Sequence, residues 1–429
     1  MRGRDILRFV AGFGTARGLL FMAPIAMANL LPMEHYGRFE LAQSWASIGA
    51  LILGFGLPAT VPLIRLRDNI EGRWDSLLLL LTALAGSCLL IALGIAVASA
   101  TLSTMAVLVP LAMCILMLQG LWSMTLKSEG YSTSAVFLEA GFWTVGVAGA
   151  GLIVLSCNRL PEGVISANLL TYATALMIVT VVQFKRSRMG AITIADLRRN
   201  LRLGLPLMIT SALTVIISSS GRLVLGQTSG VEAVGMYAVL YRSTTLPLVG
   251  HQILIIGLFR QIFTWSDELL RARAGVIVLG VTGMVLAFWL LEPTLGVLLG
   301  RRFIDTFGAY RAEGLTLLVQ TILWSAIALN DLINSRLQIA GRVTRATAPV
   351  LTLGLGVLWL WTLMRSDTLD TGAVLHSFIL GHFALMAIFY AMQCAASVRL
   401  GHRFFRLWLT VVLCIVGASG FIFLGEFFR

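Results

Sequence analysis

The chain has 429 residues, 58% of them hydrophobic and only 12% charged, with a formal net charge of +12. A soluble domain carries roughly 25% charged residues, so this composition excludes an ordinary globular enzyme. Apolar runs of about 20 residues match a hydrocarbon core of roughly 30 Å and specify an all-α polytopic membrane protein. The positive charge lies in short loops without an aromatic-interleaved basic patch, which excludes nucleic acid as a partner.

The N-terminus has the outline of a secretory leader: Arg2, Arg4 and Arg8, an apolar run, then Ala26-Met27-Ala28. Arg17 and Pro24 interrupt that run and many spans follow, so the expectation is a retained first helix. Spans are predicted at about 9–31, 41–64, 77–98, 105–126, 134–156 and 163–183. A basic connector over 185–202 follows, expected to meet anionic lipid head groups. Spans resume at about 203–226, 235–258, 274–298, 314–338, 348–364, 373–395 and 405–424. The expected organisation is a six-helix bundle (1–184), the connector (185–202), a second six-helix bundle (203–395) and an extra C-terminal helix (396–429), 12 or 13 spans in all.

Loop charge sets the orientation. Of the 32 Lys and Arg residues, 22 fall on the side of the N-terminus and 7 on the other, with Arg17, Arg222 and Arg242 inside spans. Positive loops stay cytoplasmic, so the N-terminus is predicted inside. Five scattered cysteines form no Cys-x-x-Cys pair and read as small buried hydrophobes.

The stretch Glu34-x-x-Gly37-x-Phe39 returns 198 positions later as Glu232-x-x-Gly235-x-Tyr237. Each copy sits between two apolar runs, and the offset places span 1 on span 7 and span 2 on span 8. Six spans per half is an even number, so the halves form a parallel repeat, with a pseudo-twofold axis along the membrane normal and a cavity between them. Gly37 and Gly235 are expected to turn the chain at outer hinges. Pro24, Pro58 and Pro247 are expected to bend helices 1, 2 and 8. Gly14-x-x-x-Gly18 is expected to be a close helix-packing face.

No catalytic or metal-binding constellation is present: the five histidines are dispersed, and no His-Glu-x-x-His, Walker or Gly-x-Ser-x-Gly motif occurs. The chain is therefore read as a non-enzyme without cofactor. The informative residues are arginines within spans, because an Arg near a helix centre costs about 2.5–3.5 kcal/mol on insertion scales and faces a polar interior. Arg17 lies near the middle of span 1. Arg222 ends a stripe of Ser211, Thr214 and Ser218 on one face of span 7, and Arg242 lies in span 8. A planar guanidinium grips phosphate oxygens and stays charged when desolvated. The alternative is that each Arg snorkels or pairs with a carboxylate such as Glu139. On span 10, Gln320, Asp331, Asn334 and Gln338 share a face. Asp331 and Glu139 are candidates to take a proton or sodium ion, with neutralisation of an arginine the competing reading.

Span 1, the Glu34-x-x-Gly37-x-Phe39 stretch, Gln43-Ser44 and Gly56-Leu57-Pro58 resemble the polysaccharide-transporter branch of the MOP exporter superfamily, the Wzx-type flippases. Arg222-Leu-Val-Leu-Gly226 with Glu232-x-x-Gly235-x-Tyr237 resembles the same family's seventh and eighth helices. The resemblance spans about residues 5–395. It implies two six-helix bundles around a cationic cavity. The implied activity is alternating-access transfer of undecaprenyl-pyrophosphate-linked oligosaccharides across the bacterial inner membrane for O-antigen, capsule or exopolysaccharide synthesis. It also implies membrane lipids, a polysaccharide polymerase and a chain-length regulator as partners. The family's basic cavity residues carry over to Arg17, and less directly to Arg222 and Arg242, with Ser218 and Asn334 as polar companions. Competing readings are a lipid II flippase or a multidrug or cation antiporter of the same superfamily. From another class comes a membrane polymerase or ligase, for which the short outer segment 299–313, with Arg301, Arg302 and Arg311, would have to carry the chemistry.

Overall fold

The computed structural model describes residues 3–62, 64–65, 71–102, 104–157, 163–186, 193–337, 339–366, 369–402 and 404–428. Among them the chain is helical, with no strand. In lipid every backbone polar group must be satisfied within its own segment, and a helix does so at any sequence position. Eight described helices are long and apolar enough to cross a membrane, and the predicted thirteenth span is one of them.

The described chain divides into two compact units, Met1–Leu223 and Val224–Arg429. The first holds α1 (Gly3–Leu30), α2 (Met33–Leu53), α3 (Glu71–Ser99), α4 (Met105–Ser128), α5 (Ser132–Cys157), α6 (Val164–Arg186) and most of α7 (Ile194–Thr228). Helix α4 packs against α2, α3, α5 and α6, while α1 runs along α5. Polar side chains of α4 fasten this packing: Gln119 Nε2 donates to Leu138 O at 2.7 Å and to Tyr172 Oη at 3.2 Å, and Trp122 Nε1 donates to Thr180 Oγ1 at 2.8 Å.

The second unit holds α8 (Gly230–Thr244), α9 (Leu246–Thr264), α10 (Asp267–Leu299), α11 (Arg301–Ala309), α12 (Arg311–Arg336), α13 (Ala340–Ser366), α14 (Thr371–Arg399) and α15 (Phe405–Phe427). Here α12 is the enclosed helix, packed against α8, α9, α10, α14 and α15. In the expected repeat α4 and α12 are the fourth spans of their halves, so the same rank supplies the central helix twice. The thirteenth span, α15, docks on α10 and α12. Glu426 near its end accepts from Trp289 Nε1 at 2.8 Å and from Arg311 Nε at 2.6 Å, and Arg311 Nη1 also reaches Glu292 at 3.1 Å.

Several expectations are corrected. The turn between α1 and α2 falls at Leu31 and Pro32, and Gly37 lies inside α2 as a buried helical residue. In the second copy the turn uses Gly230, at φ 84, and Gly235 is internal to α8. Both glycines are internal to their helices, and the turns fall at Leu31 and Pro32 and at Ser229 and Gly230. A Cβ placed at Gly14 or Gly18 would meet nothing within 4 Å, whereas one at Gly12 would meet Thr133 Cγ2 at 3.1 Å. The close approach of α1 to α5 is therefore at Gly12. The outer segment near Arg301 is helix α11, with Phe303, Thr306 and Phe307 buried and Arg301 paired with Asp305 at 3.5 Å on its exposed face. The second half of the basic connector is the start of α7, where Asn200 is fully buried and donates to Ser76 Oγ at 3.0 Å. Residues 187–192 and Gln338 lie outside the described residues.

Predicted breaks at Pro58 and Pro247 have definite geometry. After α2, Phe55 (φ 50) and Gly56 (φ 65) turn the chain left-handed into a 3₁₀ turn, Leu57–Thr60, with Pro58 at its second position. Pro247 is the second residue of α9, just past the break at Thr245, while Pro24 is accommodated within α1. Gly56 is required twice over. Its φ disfavours any side chain, and a Cβ there would lie 2.5 Å from Gly204 O and 2.7 Å from Met208 N of α7.

Substituting Gly56→Ala should destabilise the protein by about 2–4 kcal/mol, from the left-handed backbone and the backbone clash together. Thermal unfolding followed by size-exclusion chromatography in detergent checks this. Gly14→Ala in the same assay should be neutral.

Candidate functional site

Two charged clusters lie within the first unit. The more enclosed one begins on α2, where Tyr36 and Glu40 are four residues apart and so share a helix face. Both are fully buried. Tyr36 Oη donates to Glu40 Oε1 at 2.8 Å, and Arg222 Nε of α7 stands 2.7 Å from Glu40 Oε2. The Nε–H vector is not aligned for a hydrogen bond, so that contact is a close ion pair. Arg222 Nη1 also donates to Ser218 O at 3.2 Å, and Ser218 Oγ turns back to Val215 O at 3.1 Å. Side-chain exposure is 7% for Arg222 and 0% for Glu40. A buried charge is tolerated only when paired, because removing one partner leaves the other desolvated and uncompensated.

The second cluster joins α1, α4 and α5. Arg17 Nη2 lies 3.8 Å from Glu139 Oε2, Ser123 Oγ donates to Glu139 Oε1 at 2.6 Å, and Lys127 Nζ donates to the same oxygen. Two cations, Arg17 and Lys127, thus stand on one carboxylate. It is also open: Arg17, Glu139 and Lys127 side chains are 18%, 27% and 36% exposed.

In the second unit the polar face of α12 points at α14. Glu313 meets His376 Nδ1 at 2.8 Å, Gln320 Nε2 meets His382 Nδ1 at 2.7 Å, and Asn330 Nδ2 donates to Gln393 Oε1 at 3.2 Å. Gln393 Nε2 donates to Asp331 Oδ1 at 2.8 Å, and Ser397 Oγ donates to Asn334 Oδ1 at 3.1 Å. The partners stay 62 or 63 positions apart along the whole seam, as two parallel helices in register require. Asp331 thus accepts from an amide. Arg242 is half-buried in the last turn of α8.

The structure brings Arg17 to Glu139, and Arg222 to Ser218, while Arg242, Asn334 and Asp331 belong to the second unit. Sequence reasoning missed Glu40 and Tyr36 as the partners of Arg222, and Lys127 as the second cation on Glu139. Glu40 stands inside an apolar segment one helical turn after a tyrosine, which was its available signal. Lys127 had been assigned to loop charge.

A model of the family described as "Polysaccharide biosynthesis protein" matches residues 3–259. No curated protein matches the chain. Among solved structures, the chain is similar to a multidrug resistance MATE family transporter of the MOP superfamily in an inward-facing conformation. Identity is 17% and the TM-score 0.56, with 90% of this chain and 94% of that one covered. An outward-facing structure titled in the same terms gives 16% and 0.51, covering 94% and 98%. A MATE in complex with MaL6 gives 15% and 0.52, covering 92% and 96%.

The buried pair generates a double-mutant test. Arg222→Gln and Glu40→Gln should each lower thermal stability by about 3–5 kcal/mol, since each strands a buried charge. The double variant should recover more than about 1 kcal/mol of the summed loss, a coupling that distant sites do not show. Additive losses in thermal unfolding would mean that the two side chains do not interact.

Proposed function

The chain belongs to the family described as "Polysaccharide biosynthesis protein" and has a MATE-like helical fold, and from that premise we propose that it is a multi-pass membrane transporter of the MOP superfamily and, more narrowly, a flippase. Its proposed substrate is an undecaprenyl-pyrophosphate-linked oligosaccharide repeat unit. The unit passes from the inner to the outer leaflet of the bacterial inner membrane, for O-antigen, capsule or exopolysaccharide synthesis. The N-terminus is cytoplasmic in this reading, and the partners are the lipid-linked substrate, membrane lipids, a polymerase and a chain-length regulator.

The observation that carries the reading is the cluster of Arg17, Lys127 and Glu139. Two part-exposed cations inside a membrane-embedded unit attract an anion, and a guanidinium fork binds phosphate oxygens in two-point fashion. A prenyl tail can stay in the bilayer while its pyrophosphate is held there. The same cluster opposes a cationic drug as cargo, so the multidrug antiporter reading is disfavoured on charge. On the expected topology, Lys127 and Glu139 lie toward the cytoplasmic ends of α4 and α5. Arg222 and Glu40 lie toward the outer ends of α7 and α2. Substrate from the cytoplasm would therefore meet the open cluster first. A proton or sodium gradient is the proposed drive, with Asp331 a candidate for the ion.

Deletion of the gene should leave undecaprenyl-linked repeat units in the cytoplasmic leaflet. Arg17→Ala at normal expression should cut export at least tenfold, and Arg17→Lys should retain part of it, measured by surface polysaccharide and by lipid-linked intermediates. Full export by Arg17→Ala would remove Arg17 from the path. Complete but unpolymerised units in the periplasm of the deletion strain would point to a polymerase instead.

A further inference from the structure

We propose that the first turns of α7 carry a binding face for anionic membrane lipid, on which Arg198, Arg199 and Arg202 hold lipid phosphates while exposed apolar residues at either end of the row meet the acyl chains. The inference rests on the membrane placement and the cytoplasmic N-terminus proposed above, and not on the identity of the transported substrate. It uses side chains along the flank of the helix and none of its terminal backbone amides.

The face exists because another side of the helix is docked. Asn200, fully buried, donates to Ser76 Oγ of α3 at 3.0 Å. Leu201 packs against the buried cluster that includes Leu57, Ile64, Trp74 and Leu77. Gly204 lies so close to the break after α2 that a Cβ there would run into Phe55 O. These three residues fix which way the first turns of α7 point. Residues four apart share a helix face, so Ile194, Arg198 and Arg202 form one row, which Leu205 continues three residues on, with Arg199 beside it. All five are exposed, Ile194 at 85% and Leu205 at 47%. Asp196, the only acidic residue of α7, is turned back to Thr193, whose Oγ1 donates to it at 2.6 Å.

The chemistry of this row selects its occupant. Basic side chains beside apolar ones on one exposed helix face suit a lipid interface, where the cations meet head groups and the apolar residues reach the acyl boundary. A soluble anion would use the arginines and leave Ile194 and Leu205 in water. The guanidinium fork grips phosphate oxygens at two points, so a phosphate-bearing anionic lipid fits both parts of the row. Helix length agrees. At about 1.5 Å per residue, Arg202 stands about 39 Å and Arg198 about 45 Å from the far end of α7 at Thr228. A bilayer measures roughly 30 Å across its hydrocarbon and roughly 40–45 Å with its head groups. With Thr228 at the outer surface, the row falls among the inner head groups, where anionic lipid attracts basic segments. The helix held there is the one that brings Arg222 to Glu40.

Native mass spectrometry of the purified full-length protein tests this, by titration in neutral detergent with phosphatidylglycerol or with phosphatidylcholine of the same acyl chains. Wild type should bind phosphatidylglycerol about tenfold tighter or more, as several basic groups at a lipid surface provide. Inorganic phosphate should not displace it, having no chain for Ile194 and Leu205 to hold. The combined variant Arg198→Gln, Arg199→Gln, Arg202→Gln should lose the preference. A control that removes the same charge from other exposed arginines, Arg342→Gln, Arg345→Gln, Arg406→Gln, should keep it. Arg17→Ala should keep it too, so failure of the flippase reading would leave the lipid face standing, whereas loss in Arg17→Ala would move the lipid to the Arg17 cluster and overturn the proposal. Equal binding of both lipids by wild type would overturn it, as would equal loss in the two combined variants, which would mean that overall positive charge suffices. Displacement by inorganic phosphate would replace the lipid with a soluble anion.

Discussion

A charge inside an apolar membrane unit must be matched locally, because neither lipid nor apolar side chains can solvate it. The Glu40–Arg222 pair is where that constraint is strictest, and much of the first unit is arranged to meet it. Tyr36 has to lie one turn before Glu40, which requires α2 to be helical from Met33 onward. Arg222 must reach Glu40 from α7, a helix of 35 residues that is pinned at its other end by Asn200 and by the contact of Gly204 with the break after α2. The break itself is compact because Gly56 tolerates both its backbone angle and its neighbour.

Apolar matching alone cannot hold such helices together, since lipid tails are as apolar as leucine. The enclosed helices answer this with polar side chains spaced to face their neighbours: Gln119 and Trp122 on α4, Gln320, Asn330 and Asn334 on α12. Each such contact contributes on the order of 1 kcal/mol in a membrane. Their number and their common register along α12 and α14 fix one alignment of the two helices. Placing these residues on the fourth span of each half makes the two units alike in construction even though their sequences retain little in common.

The helical spans and the family were legible because hydropathy and short recurring patterns determine them directly. Arg17 and Arg222 were legible because arginine is expensive in such segments. Their partners were harder to see: Glu40 and Arg222 are far apart in the chain, and only folding brings α2 and α7 together. Lys127 read as loop charge because it ends its helix, yet it turns inward to Glu139. Gly37 was misread for a different reason. Glycine next to a polar stretch suggests a turn, but the chain already turns at Leu31 and Pro32, and Gly37 is a buried residue inside α2. Helix α11 was missed since nine residues are too few for a hydropathy signal, although Phe303 and Phe307 four apart marked one face.

The two clusters differ in a way that bears on direction. In the Arg17 cluster two part-exposed cations stand on one carboxylate, whereas Arg222 and Glu40 are both enclosed. In the proposed flippase reading an anion would reach the first directly, while at the second it would compete with a carboxylate already in place. On that reading the open position would be occupied before the enclosed one.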